Sequence, residues 1–320
     1  MAERLPVVVV TGFLGSGKTT LLSRLLGRPE LGEAAVIVNE LGEVAIDHHL
    51  LRRVDERTVL LGNGCVCCTL RGDLADELRD LLSRRTRGEI PPFRRVLVET
   101  TGLADPAPVL NTVLTEPVVQ HHFEPGAVIA TVDALNGNGQ LDRDEETLKQ
   151  VVVADRLVVT KADVAERGAV DVLEERLRGL NPAADVLKAS FGDADPALLL
   201  APGYVDPGRL RLPTEPGHSD VHPFVLFRDR PVDWTAFGIW LTMLLASRGA
   251  DVLRVKGLLN VGAPGPVVLN GVQHVVHPPE HLDAWPDDDR RSRIVFIARG
   301  IGKREIEESL AAFDAAARGS

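Results

Sequence analysis

All three cysteines of the chain fall within one stretch, Cys65-Val66-Cys67-Cys68. An odd, crowded set cannot serve as a disulfide framework, and in a chain of this size it points to metal binding or redox chemistry. The stretch follows Gly62-Asn63-Gly64 and precedes a helical pattern beginning near Thr69. A position ahead of a helix N-terminus lowers thiol pKa values and so favours thiolates, as ligands and as nucleophiles. Three thiolates can fill three corners of a tetrahedral Zn²⁺ or Co²⁺ site and leave the fourth for water, another side chain or a receiving protein. Two other readings stay open. Cys65 and Cys68 form a C-x-x-C pair, as a redox dithiol would, and cysteine is also a common buried residue.

A second constellation is Gly12-Phe13-Leu14-Gly15-Ser16-Gly17-Lys18-Thr19, which fits the pattern G-x-x-x-x-G-K-S/T between a strand-like Val7 to Val10 and a helical Leu21 to Leu26. Glycines let backbone N–H groups converge on phosphate oxygens, Lys18 reaches the β and γ phosphates, and the Thr19 hydroxyl ligates Mg²⁺. Glu99 closes the strand-like Val96 to Val98 and precedes Thr100, Thr101 and Gly102. At a strand's carboxyl end it can hold Mg²⁺ through water or orient an attacking water; the alternative is an acid at a helix start. Gly102 would let a backbone N–H approach the γ-phosphate. Thr160-Lys161-Ala162-Asp163 ends another strand and has the form N/T-K-x-D. Asp163 can accept from N1–H and the exocyclic amine of guanine, donors that adenine lacks; a solvated loop opening a helix is the alternative.

These groups need elements to position them. Leu5 to Val10, Ala34 to Val38, Arg95 to Val98, Val128 to Val132 and Leu157 to Thr160 are short, β-branched and not alternating, as parallel strands buried on both faces are. Helical patterns lie between them, such as Leu21, Leu22, Leu25, Leu26 and Leu70, Leu74, Leu78, Leu81. The expectation is an α/β fold, a doubly wound and mostly parallel sheet with ligands at the carboxyl ends of its strands. Prolines and glycines mark 201–220 as a linker, giving a first domain over 1–200 and a smaller α+β domain over 221–320. In that second domain a strand is expected at His222 to Phe227, helices at Trp234 to Ala246 and Lys303 to Ala317, three further strands up to Ile297, and a turn-rich Gly262 to Gly271.

The 320 residues carry a formal net charge of -10, which argues against nucleic acid as a partner. No apolar run approaches the ~20 residues that span a bilayer, so no membrane role and a cytoplasmic location are expected. Asn39 to His49 follows the second strand, where a nucleotide-sensing switch would sit; Glu43, Asp47 or a histidine there could add a metal ligand.

Taken in order, GFLGSGKTTLL, VNELGEVAID, NGCVCC, VETTGLADP and TKAD resemble the motif series of the CobW-like GTPases, and RVKGLLNV, GVQHVVHPPEHLDAWP and RIVFIARGI are similar to that family's C-terminal domain. The resemblance covers nearly the whole chain. It implies a GTP-hydrolysing metallochaperone that takes a divalent transition metal, zinc first and cobalt second, and delivers it to a client metalloprotein. By motif, Gly15, Ser16, Gly17, Lys18, Thr19 and Thr20 would bind phosphates and Mg²⁺, Lys18 and Glu99 would serve catalysis, Lys161 and Asp163 would hold guanine, and Cys65, Cys67 and Cys68 would bind the metal. Thr160 stands where many GTPases have Asn, and the His-rich insert of some members is absent. The partners the resemblance implies are GTP or GDP and a client metalloprotein, with a homodimer as an option, and it leaves the role of the C-terminal domain open. The rival readings are a metal-sequestering or sensing protein with regulatory nucleotide binding, and an ATP-dependent kinase of the P-loop group.

Overall fold

Val7 to Val10 are four consecutive β-branched residues with no polar face, so the strand that holds them must be covered on both sides. In the computed structural model, which describes residues 4–31, 33–38, 59–61, 70–201 and 220–318, they are buried within β1, Leu5–Gly12. The chain continues through α1 (Lys18–Leu26), a 3₁₀ turn (Pro29–Leu31), β2 (Ala34–Val38), β3 (Val59–Leu61), α2 (Leu70–Thr86), β4 (Arg95–Glu99), α3 (Ala107–Thr115) and α4 (Val119–His122). Then come β5 (Phe123–Asp133), α5 (Gly137–Arg143), α6 (Glu145–Val153), β6 (Arg156–Thr160), α7 (Arg167–Leu180), β7 (Asp185–Ala189) and α8 (Pro196–Leu200). The seven strands form one sheet in the order β3-β2-β4-β1-β5-β6-β7, and every pairing is parallel. This is the expected α/β architecture with a central β1.

Parallel register fixes what stands beside the loop that leaves β1. Val10 pairs with Glu99, Gly12 with Thr131, Asp133 with Thr160, and Thr160 with Ala189. Leu21, Leu22, Leu25 and Leu26 of α1 are buried in a cluster with Val8, Val10 and Val36 of the sheet. Two strands have no counterpart among the five expected. β3 is only three residues long, and β7 reads DVLKA, half-exposed along most of its length, so neither carries a continuous apolar run. β5 also begins five residues early, at Phe123, because Gly126 permits a close approach: a Cβ there would lie 3.1 Å from the Val7 carbonyl.

The chain divides into two compact units, one within Met1–Leu177 and Asp185–Gly203, the other within Arg178–Ala184 and Tyr204–Ser320. Of the expected linker, only Ala201 and Asp220 are among the described residues. The second unit holds β8 (Val221–Arg228), α9 (Trp234–Arg248), β9 (Val252–Leu259), β10 (Val267–Val272), β11 (Val275–Val276), β12 (Glu280–His281), β13 (Ser292–Arg299) and α10 (Lys303–Arg318). Its sheet runs β11-β10-β9-β13-β8, with β12 on β10, and is antiparallel. Two helices and four strands were expected, and the extra two strands are dipeptides too short to read from a pattern. β10 overlaps the second half of the stretch read as turns, Gly262 to Gly271, and ends one residue beyond it. Its Val267 and Leu269 enter the core despite the glycines that flank them. Phe224 and Phe296 stack at 5.5 Å between ring centroids, and Trp240 of α9 meets Phe296 edge-on. Among the described residues no helix is long and apolar enough to cross a membrane.

Candidate active site

The glycines of the loop from Gly12 to Gly17 take dihedrals that side chains rarely adopt: φ is +138° at Gly12, +69° at Gly15 and +95° at Gly17. Gly17 caps α1 with no side chain on the first-turn N–H groups, and that turn contains no acid. The helix therefore presents its positive end without a built-in anion, which suits an anionic ligand. A Cβ on Gly12 would fall 2.4 Å from the Thr131 carbonyl, so the start of the loop is pressed onto β5. Ser16 Oγ and Thr131 Oγ1 are 2.7 Å apart, and Thr160 Oγ1 donates to the Ser16 carbonyl at 2.6 Å. Lys18 is buried, and its Nζ donates to the carbonyls of Gly12 at 2.8 Å and Phe13 at 3.1 Å. Gly15 and Thr20 are exposed along the same edge.

Glu99 reaches this loop from β4. It is 2% exposed, and its Oε1 accepts from Thr19 Oγ1 at 2.6 Å. Thr100 follows with its N–H on the Val10 carbonyl and its hydroxyl on Thr11 Oγ1, which ties the end of β4 to β1. Gly102 is buried against the loop: a Cβ there would sit 2.5 Å from Leu14 N and 2.7 Å from Leu14 Cα. Gln150 of α6 holds that backbone from behind, donating to the carbonyls of Gly102 and Ala104. A hydroxyl and a carboxylate meeting beside a helix N-terminus form a hard-oxygen pair of the kind Mg²⁺ takes.

The third part of the edge lies after β6. Lys161 has a left-handed backbone, φ +57°, and its Nζ sits 2.7 Å from Asp133 Oδ2. Asp133 ends β5 and is almost fully buried. Burial alone would raise its carboxyl pKa, but hydrogen bonds from Lys161, Asn136 and the Leu135 amide, with the charge on Lys161, outweigh it and hold the group below its ordinary value. Asp163 is exposed on the turn that follows.

Gly15, Ser16, Gly17, Lys18, Thr19, Thr20, Glu99 and Gly102 thus gather at one sheet edge, with Lys161 and Asp163 on the neighbouring loop. Cys65, Cys67 and Cys68 lie outside the described residues, as do Glu43, Asp47, His48 and His49. Among the described residues no three His, Cys, Asp or Glu side chains gather to hold a metal ion. Thr131, Asp133 and Asn136 went unread in the sequence. The rule that singled out Glu99, a charge closing an apolar strand, applies equally to Asp133 after Val128 to Val132 and could have found it.

Comparison with known proteins covers both units. The family model described as CobW/HypB/UreG, nucleotide-binding domain, matches residues 6–188, and the cobalamin synthesis protein cobW C-terminal domain matches 221–314. The chain is 34% identical over 313 residues to the zinc chaperone YjiA of Escherichia coli, an alignment that covers 95% of this chain and 97% of that protein. It is 30% identical over 352 aligned positions to the zinc chaperone CobW of Pseudomonas aeruginosa, with 96% and 91% covered. The crystal structure of Zn(II)-bound YjiA GTPase from E. coli superposes with a TM-score of 0.71 at 29% identity, covering 97% of this chain and 99% of that one.

Proposed function

The chain belongs to the CobW/HypB/UreG family, and on that membership we propose that it hydrolyses GTP to GDP and phosphate to load a divalent transition metal, zinc foremost, into a client metalloprotein. Both relatives named above are zinc chaperones and the solved relative is a Zn(II)-bound GTPase. Within this chain, the observation that carries the reading is the hydrogen bond between Thr19 and Glu99 at the mouth of a phosphate loop.

The roles follow from chemistry. Backbone N–H groups of residues 15–20 and the Lys18 ammonium take the triphosphate and offset the charge that builds on the transferring phosphoryl group. Thr19 would hold Mg²⁺ directly and Glu99 through water, and the ion when bound neutralises charge between the β and γ phosphates. Glu99 also orients the attacking water and accepts its proton. Oxygen of that water bonds to the γ-phosphorus as the bond to the β-phosphate oxygen breaks. Asp163 and Lys161 select guanine, which favours GTP over ATP and sets the kinase reading aside. Zinc is cargo. Cys65, Cys67 and Cys68 are its ligands by type and spacing, with cobalt the second metal such thiolates admit. On this reading the switch is Glu40 to His49, which the γ-phosphate and Mg²⁺ would order and whose release on hydrolysis would loosen the metal, as in other nucleotide switches. A cytoplasmic site of action and docking of the client, or of a second copy, by the C-terminal unit complete the reading.

The test is zinc affinity of the full chain with a non-hydrolysable GTP analogue and with GDP, beside steady-state GTPase assays of Glu99→Ala and Cys67→Ala. Tighter zinc with the analogue and weakened zinc in Cys67→Ala are expected. Equal zinc affinities in both nucleotide states would sink the coupling, and a chain that binds zinc without GTP turnover is a sequestering or sensing protein.

A further inference from the structure

Gln150 is a polar side chain in an apolar place. It is 1% exposed, and Val151, Val152 and Val153, which follow it on α6, are buried where that helix packs on β1 and β5. Its Nε2 donates to the Gly102 carbonyl at 3.2 Å and to the Ala104 carbonyl at 3.1 Å. Two acceptors at one end of the amide fix which end carries the hydrogens, so Oε1 faces the other way, where among the described residues it meets no donor. An unmet buried acceptor costs roughly what two neutral hydrogen bonds return, so stability does not account for a glutamine here. What the side chain accomplishes is position.

The two carbonyls belong to the loop that leaves Glu99. Their peptides are trans, so the N–H groups of Leu103 and Asp105 stand opposite the carbonyls and point away from α6. The Cα of Gly102 lies against the phosphate loop at Leu14. Thr100 is fastened to β1 through Val10 and Thr11, and the Ala104 N–H closes a turn on the Thr101 carbonyl at 3.1 Å. Gln150 thus fastens the far half of the loop as β1 fastens the near half.

We propose that Gln150 is a positioning residue for the γ-phosphate: its amide fork sets the peptide planes of residues 102–105 so that N–H groups of this loop meet that phosphate. This rests on the GTPase reading above and gives α6 a part in telling GTP from GDP. Gln150 acts through the backbone it grips, so its loss should be felt where the γ-phosphate is present and not where it is absent.

The experiment measures affinity for GDP and for a non-hydrolysable GTP analogue, kcat for GTP, and thermal melting, in wild type, Gln150→Met and Thr147→Val. Methionine fills the glutamine's volume while removing both donated bonds and the unmet acceptor. Thr147 lies one turn earlier on α6, is 2% exposed and likewise has a hydroxyl without a partner among the described residues, so Thr147→Val reports disturbance of the helix alone. Gln150→Met should bind GDP as wild type does. It should bind the analogue about 10- to 150-fold more weakly, the worth of a hydrogen bond to a charged group, and kcat should fall about 10²-fold. Thr147→Val should match wild type throughout. Should Gln150→Met not fold, Gln150→Asn, one methylene too short to reach both carbonyls, carries the same expectations. Equal weakening of GDP and analogue marks a merely structural role and overturns the proposal, as does an unchanged analogue affinity. A wild type that binds both nucleotides but hydrolyses no GTP overturns the GTPase reading, and the proposal then stands or falls on the ratio of the two affinities.

Discussion

Thr19 Oγ1 donates to Glu99 Oε1 across 2.6 Å, so the first turn of α1 and the last residue of β4 meet in one charge-assisted hydrogen bond. Glu99→Gln keeps an acceptor for Thr19 and removes the charge and the basicity. With Glu99 as the base, kcat for GTP should fall about 10²- to 10⁴-fold while GTP affinity changes little. Single-turnover hydrolysis together with a binding titration checks the split, and an unchanged kcat removes Glu99 from the chemistry.

Lys18 holds its ammonium on the carbonyls of Gly12 and Phe13, where a β/γ-phosphate would compete for it. Wild type should gain about 2.7 kcal/mol of stability at a GTP concentration a hundredfold above Kd. Lys18→Met should lose most of that gain and melt at nearly the same temperature with or without GTP. Thermal melts in both conditions decide it.

Gly102 cannot acquire a side chain without moving the loop, since a Cβ would fall 2.5 Å from Leu14 N and the obstacle is backbone. Gly102→Ala should destabilise the chain by about 1–3 kcal/mol. It should also weaken GTP binding, because what yields is the phosphate loop itself. A variant that unfolds in denaturant as wild type does and binds GTP equally well would show that the contact relaxes freely.

Asp133 has a carboxyl held below its ordinary value of 3.8, chiefly by Lys161 once burial is overcome. A group depressed in the folded state contributes stability that is complete above its unfolded pKa and fades as pH falls through the folded one. Asp133→Asn should therefore cost about 1–3 kcal/mol near pH 7. The gap from wild type should narrow as pH drops below 3.8. Denaturant unfolding of both proteins from pH 7 to pH 3 measures this, and a gap that stays constant with pH would remove the ion pair as its cause.

The phosphate loop could be read from the chain alone because its chemistry is local: eight consecutive residues, with a strand before and a helix after, determine both its shape and its charge. The cysteine cluster stands out for the same reason, three thiols so close together that type and spacing limit what they could do, though it lies outside the described residues. The core strands β1, β2, β4, β5 and β6 were visible because strands buried on both faces need unbroken apolar runs. β3 and β7 were not, one because it is three residues long, the other because it is half-exposed.

What tertiary structure alone decided are the partnerships across the sheet. Ser16 with Thr131, separated by 115 positions, Lys161 with Asp133, separated by 28, and Gly192 with Thr20 leave no mark in local spacing. They exist because parallel strands in the order β1-β5-β6-β7 bring their carboxyl ends to one edge in a fixed register. A sequence states which residues can do chemistry; the strand order determines which of them meet, since neighbours in a parallel sheet are joined by long crossovers and stand far apart along the chain.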